Sequence, residues 1–123
     1  MVRKRDKWTF LDEYTVEERT GQARRMCRQH PGCVPVVIAR ASKSRVGNVK
    51  ELRVNAPGNM TLGQLHLALR DRLCLRPTDA IIFLVGSSNT IVPPSSSLAY
   101  LYLQHSHIDL FLYLTYCEEN ALG

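Results

Sequence analysis

At 123 residues and 45% hydrophobic composition, the chain is long enough for one domain with a real core and too short for two. Its net charge of +5 is unevenly held: residues 1–53 carry 13 of the 16 Lys and Arg and six of the 11 acids, so that stretch stands at +7 and the remainder at −2. No run approaches the roughly 18–20 apolar residues of a membrane-spanning helix, and the charged start Met1-Val2-Arg3-Lys4-Arg5-Asp6-Lys7 has no apolar stretch behind it, so neither a spanning segment nor a secretion signal is expected.

Residues 1–14 mix charges with Trp8, Phe10, Leu11 and Tyr14, which suits a short helix or an arm that packs its aromatics. Thr15 with Glu18 three residues on forms a capping box, and the helix it opens is expected to run to His30, where Pro31-Gly32 stops it. Its apolar side, Val16, Ala23, Met26 and Cys27, is thin, which predicts a surface helix. The β-branched run Val34-Pro35-Val36-Val37-Ile38-Ala39 reads as a buried strand with Pro35 near its start or on an edge. Residues 40–48 turn the chain into a solvent-facing hairpin strand over Val49–Ala56.

Pro57-Gly58-Asn59 closes that strand, and Thr61 with Gln64 makes a second capping box for a helix whose Leu62, Leu65, Leu69 and Leu73 share one stripe. Ala80–Val85 is an almost wholly apolar strand expected at the centre of the sheet. An irregular exposed loop over Gly86–Ser97, a short helix over Leu98–Gln104 and a closing strand over Leu110–Tyr116 complete the series, after which a polar tail leads to Gly123. The order predicts an α+β domain: one mixed sheet with a long helix packed across it.

Signals for catalysis are few. There is no GxxxxGK[ST], GxGxxG or GxSxG, so phosphate-cradling loops and nucleophile elbows find no host. Nothing pairs Cys33 or Cys74 with a positioned histidine, and Cys27, Cys33, Cys74 and Cys117 show no CxxC spacing and read as reduced thiols. His105, His107 and Asp109 approach metal spacing, but no fourth ligand is near, and solvent-exposed loop histidines are the expectation. No cofactor is expected. The basic first half suits an acidic partner, yet the chain lacks an aromatic-interleaved basic strand, a recognition helix or a zinc finger, and nucleic acid is not the expected partner. Arg24, Arg25 and Arg28 either dock that partner or merely solvate a helix face. An extended peptide adding a strand beside Val49–Ala56, with Lys50 and Arg53 favouring acidic sequences, fits the pattern, as do Lys50 and Arg53 guarding an exposed edge. A glycine carboxylate on an exposed tail is open to amide formation, since no side chain obstructs it.

Taken together, Pro31-x-x-Val34-Pro35-Val36-Val37, Lys43-x-Arg45-Val46-Gly47, Pro57-x-x-Met60-Thr61-Leu62-Gly63-Gln64-Leu65, Leu67-x-x-Arg70-x-Arg72-Leu73-x-Leu75, Asp79-Ala80-Ile81-Ile82-Phe83 and Asp109-x-Phe111-Leu112-Tyr113-x-x-Tyr116-x-x-Glu119 closely resemble the autophagy ubiquitin-like modifiers, the family of the GABA-receptor-associated protein and the microtubule-associated protein light chain. The resemblance implies a ubiquitin-like β-grasp core, a four-stranded mixed sheet packed by a central helix, over residues 31–116. It also implies an N-terminal helical extension over 1–30 and a flexible conjugation tail over 117–123. In such a protein, which is not an enzyme, activating and conjugating enzymes join the terminal glycine, here Gly123, to phosphatidylethanolamine, and a cysteine protease processes and releases it. The protein would be a cytoplasmic monomer before conjugation and sit on the autophagosome membrane through its covalent lipid afterwards. There it would recruit cargo receptors, whose aromatic-x-x-aliphatic motif adds a strand to the second β-strand.

Carried onto this sequence, the aromatic side chain would meet Gln22, Met26, Pro35, Arg53, Asn55 and Phe111. The aliphatic one would meet Val54, Ala56, Pro57, Met60, Leu65, Ala68 and Leu69, with Arg70 beside them. The chain departs from the family where Gln22 replaces a usual glutamate, Asn55 a usual aliphatic residue and Leu122 a usual large aromatic. A sister modifier joined to a protein lysine, and an unconjugated peptide-binding or cytoskeletal adaptor, are the alternative readings.

Overall fold

The computed structural model describes residues 9–42 and 44–119; Trp8 and the tail residues 120–123, Gly123 among them, lie outside the described residues. Both capping boxes form as the sequence predicts. Thr15 accepts from the Glu18 amide while the Glu18 carboxylate accepts from the Thr15 amide, and helix α2 follows over Val16–Gln29. Thr61 and Gln64 repeat the arrangement at the head of α3, Leu62–Leu69. Before α2 stands a short helix, α1, Thr9–Glu13, and near the end comes α4, Leu98–His105, capped by Ser97.

The strands are β1 Cys33–Arg40, β2 Glu51–Pro57, β3 Ile81–Val85, β4 Thr90–Ile91 and β5 Leu112–Glu118. They form one mixed sheet in the order β2-β1-β5-β3-β4, with β1 and β5 parallel and the other pairs antiparallel. Pro35 is the third residue of β1, just before the pairing with β5 begins at Val36, where its missing N–H interrupts nothing in that ladder.

Three features go beyond the sequence expectations. A fifth strand, β4, joins the four expected: Gly86 and Asn89 adopt positive φ (76° and 54°), and the Asn89 amide donates to Gly86 O at 3.2 Å, a turn that folds Thr90 and Ile91 back beside Val85 and Leu84. The central strand is β5, not β3. Helices cover both of its faces, whereas Ile82 and Leu84 on β3 stay half-buried because α1 and α2 stop short of them. Finally, β5 continues through Cys117 and Glu118, which the sequence assigned to the tail, because Ile82 and Ile81 supply ladder partners for both.

Strand alternation divides the interior in two. On one face Val34, Val36 and Ile38 of β1, Ala56 of β2 and Leu112, Leu114 and Tyr116 of β5 meet Leu62, Leu65 and Leu69 of α3, while Leu73, which the sequence placed on the same helical stripe, lies in the turn after the helix ends at Leu69; all four leucines are at most 4% exposed, worth about 1.5–3 kcal/mol apiece. On the other face Val37, Phe111 and Tyr113 pack with Phe10 of α1 and Ala23 of α2. The loop between β1 and β2 passes so close to the first core that only glycine fits at Gly47: its φ is +80°, and an added Cβ would lie 2.6 Å from Tyr116 Oη and 3.0 Å from Leu73 O.

Candidate functional site

Among the described residues the sheet order leaves one side of β2 unpaired, and β2 is the long edge of the sheet. Alternation along it sends Arg53 and Asn55 to the α2 face, while Leu52, Val54 and Ala56 pack with the α3 face. A peptide strand laid on that edge also alternates, so side chains three residues apart point to opposite faces. That separation matches an aromatic-x-x-aliphatic motif reaching both seams at once.

On the α2 face the expected residues come together. Arg53 Nη1 donates to Gln22 Oε1 at 2.9 Å, Asn55 Nδ2 donates to Met26 O at 3.0 Å, and Pro35 is Asn55's cross-strand partner. Met26 packs into the cluster that holds Phe111. Phe111 itself has no exposed surface, because Phe10 lies against it edge-on with ring centroids 5.2 Å apart. On the α3 face Val54, Ala56, Met60, Leu65 and Leu69 share one core cluster, while Pro57 and Ala68 are exposed at its rim. Arg70 is turned away from β2: its guanidinium reaches Arg76 O at 2.6 Å, Asp79 O at 2.9 Å and His66 Nε2 at 2.9 Å. Burial, and then the Arg70 charge, push the His66 pKa below its ordinary value.

Sequence reasoning missed the part played by α1. The Arg53 guanidinium lies 4.5 Å from the Phe10 ring centroid and 5.9 Å from that of Tyr14, and Glu51 on β2 accepts from the Phe10 amide at 3.2 Å and from Thr9 Oγ1 at 3.1 Å. The aromatic content of residues 1–14 signalled packing; only the fold shows it to be against this seam. Beneath, Asp109 is fully buried and accepts from Arg19 Nε at 2.9 Å, the Tyr113 hydroxyl at 2.5 Å and the Phe111 amide at 3.0 Å. Burial, and then the bond to Asp109, hold the Tyr113 hydroxyl protonated well above its usual range.

His107 belongs to this same turn, with Nδ1 3.4 Å from Asp109 Oδ1, whereas His105 lies against Gly86. Among the described residues no group of His, Cys, Asp and Glu has metal-binding geometry, no disulfide joins the four cysteines, and no helix is long and apolar enough to cross a membrane. A cleft of about 190 Å³ at the opposite edge of the sheet, between α3 and the β3–β4 hairpin, is lined by Leu62, His66, Phe83, Ile91, Val92 and Pro94 and contains none of the expected residues.

Comparison with known proteins agrees with this geometry. The crystal structure of Trypanosoma brucei ATG8 is similar, with a TM-score of 0.82 and 26% identity over 91% of this chain and 95% of that one. Residues 18–123 match the family model described as autophagy protein Atg8, ubiquitin-like. With a ubiquitin-like mixed sheet, an added helical region before it and a family match over most of its length, the chain belongs to the Atg8 family of ubiquitin-like autophagy proteins.

Proposed function

We propose that this protein is a conjugated modifier, joined through the Gly123 carboxylate to the amine of phosphatidylethanolamine, and that the conjugate recruits cargo receptors as an added strand along β2. The observation that supports recruitment most directly is the unpaired edge of β2, with Arg53 and Asn55 serving one face and Val54 and Ala56 the other. A strand added there gains main-chain hydrogen bonds along its length and buries alternate side chains in two separate seams. The chain itself supplies the acyl group and is not the catalyst: activating and conjugating enzymes carry the carboxylate as a thioester, the lipid amine takes the acyl group as the enzyme thiol leaves, and a cysteine protease hydrolyses the linkage. The protein then divides between the cytoplasm, as a monomer, and the autophagosome membrane.

The test is mass spectrometry of the conjugate formed in cells or in a reconstituted reaction. A Gly123 amide of phosphatidylethanolamine is expected, and deletion of Gly123 should abolish both that species and membrane-bound puncta. An isopeptide to a protein lysine would replace the lipid reading with that of a protein modifier. Puncta that survive deletion of Gly123 but are lost on changing Arg24, Arg25 and Arg28 to Glu would point to an unconjugated adaptor.

A further inference from the structure

The seam between β2 and α2 contains an unsatisfied acceptor. Asn55 Nδ2 donates to Met26 O at 3.0 Å, which fixes the orientation of the amide and leaves Oδ1 as its free end. That oxygen is buried and accepts no hydrogen bond from any of the described residues. Buried carbonyl oxygens are nearly always paired, and a donor that reaches an unpaired one removes a standing desolvation cost. The neighbouring side-chain acceptor, Gln22 Oε1, is already taken by Arg53. Among the described residues the other buried side-chain atom without a partner is Thr115 Oγ1, on the central strand and away from the edge.

We propose that Asn55 is a specificity-determining residue of the peptide groove: its Oδ1 accepts from the indole N–H of a tryptophan, so that the groove selects tryptophan over phenylalanine as the aromatic anchor of an acidic-flanked partner peptide. This rests on the strand-addition reading given above. Indole is suited to the seam because it carries one donor and no competing acceptor on an otherwise apolar ring, and the half-buried Met26 offers apolar surface for the rest of it. Arg53 already stacks on aromatic rings here, and indole is the best such partner for a guanidinium. The acidic flank follows from Arg24, Arg25, Arg28 and Lys50, which are exposed on α2 and at the start of the β2 edge. Phenylalanine would fill part of the same space and leave Oδ1 unpaired.

The experiment is calorimetric titration of the full chain with three peptides identical except at the anchor: tryptophan, 3-benzothienylalanine, in which sulfur replaces the indole N–H in the same ring shape, and phenylalanine. The tryptophan peptide should bind about five- to tenfold tighter than the benzothienyl peptide. In Asn55→Leu, with folding verified by its thermal melt, that ratio should fall to about one as the acceptor disappears. Should the variant fail to fold, the natural chain serves instead: the indole N–H proton of the bound tryptophan peptide should move downfield and be protected from solvent exchange as it donates to Asn55 Oδ1, and an indole N–H that stays in free exchange with water overturns the role of Asn55. Equal binding of those two peptides, or a ratio that survives in Asn55→Leu, overturns the role of Asn55 and leaves peptide binding standing. Failure of all three peptides to bind overturns peptide binding as well.

Discussion

Phe111 shows how a residue assigned to a binding surface is also a structural one. The family resemblance puts it in the wall of the aromatic seam, and the structure buries it completely under Phe10, in a cluster with Val37 and Tyr113. Phe111→Ala therefore leaves a ring-sized cavity between the sheet and α1, and the expected loss is about 3–5 kcal/mol of stability, read as a lower midpoint in urea. A loss below about 1 kcal/mol with weakened peptide binding would instead make Phe111 chiefly a wall of the groove. Its position is set by Leu110, which takes a positive φ of 72°, and by Asp109, whose carboxylate accepts from the Phe111 amide. Neither constraint is visible in the residue pattern, because left-handed backbone at leucine is the result of surrounding contacts and not of local preference.

At the scale of elements, α1 is too short to be stable alone and is held by bonds to the rest of the domain. Arg19 on α2 donates through Nη1 to Leu11 O at 3.2 Å and Tyr14 O at 2.6 Å, while its Nε is committed to the buried Asp109. One guanidinium thus ties α1, α2 and the turn before β5 together. Arg19→Ala strands a carboxylate in the interior, and we expect a loss of about 3–5 kcal/mol together with faster amide exchange across α1. Arg19→Lys should recover only part of this, since one ammonium cannot reproduce the planar fork. A melting temperature unchanged in Arg19→Ala would refute the assignment. The sequence displays Arg19 as one more basic residue on a polar helix; that it is 7% exposed is a tertiary fact.

For the whole molecule, the excess of +7 in residues 1–53 bears on one edge, because α2 lies against β2 and that stretch holds all of α2 and the start of β2 through Arg53. Such a field speeds the encounter with acidic peptides more than it strengthens the final complex. Changing Arg24, Arg25 and Arg28 to Glu should slow association with an acidic-flanked peptide about tenfold at low salt, with the deficit shrinking toward 0.5 M salt as screening takes over. Stopped-flow rates at several ionic strengths measure this, and association rates equal to those of the natural chain would leave those arginines with solvation alone.

By itself the sequence determined the local and periodic features: both capping boxes, the α3 leucine stripe as far as Leu69, four of the five strands and the ordered motifs of the family. These are short-range signals, written in residues a few positions apart. Tertiary structure decided what depends on residues distant in the chain meeting. It made β5 the central strand, carried the last ladder pair to Glu118, folded α1 over the Arg53 seam and buried Arg19 against Asp109. It also left Asn55 Oδ1 without a partner. The sequence marks Asn55 as a polar residue at an apolar site, but whether a buried amide is satisfied depends on every donor within reach, and those donors are brought there only by folding.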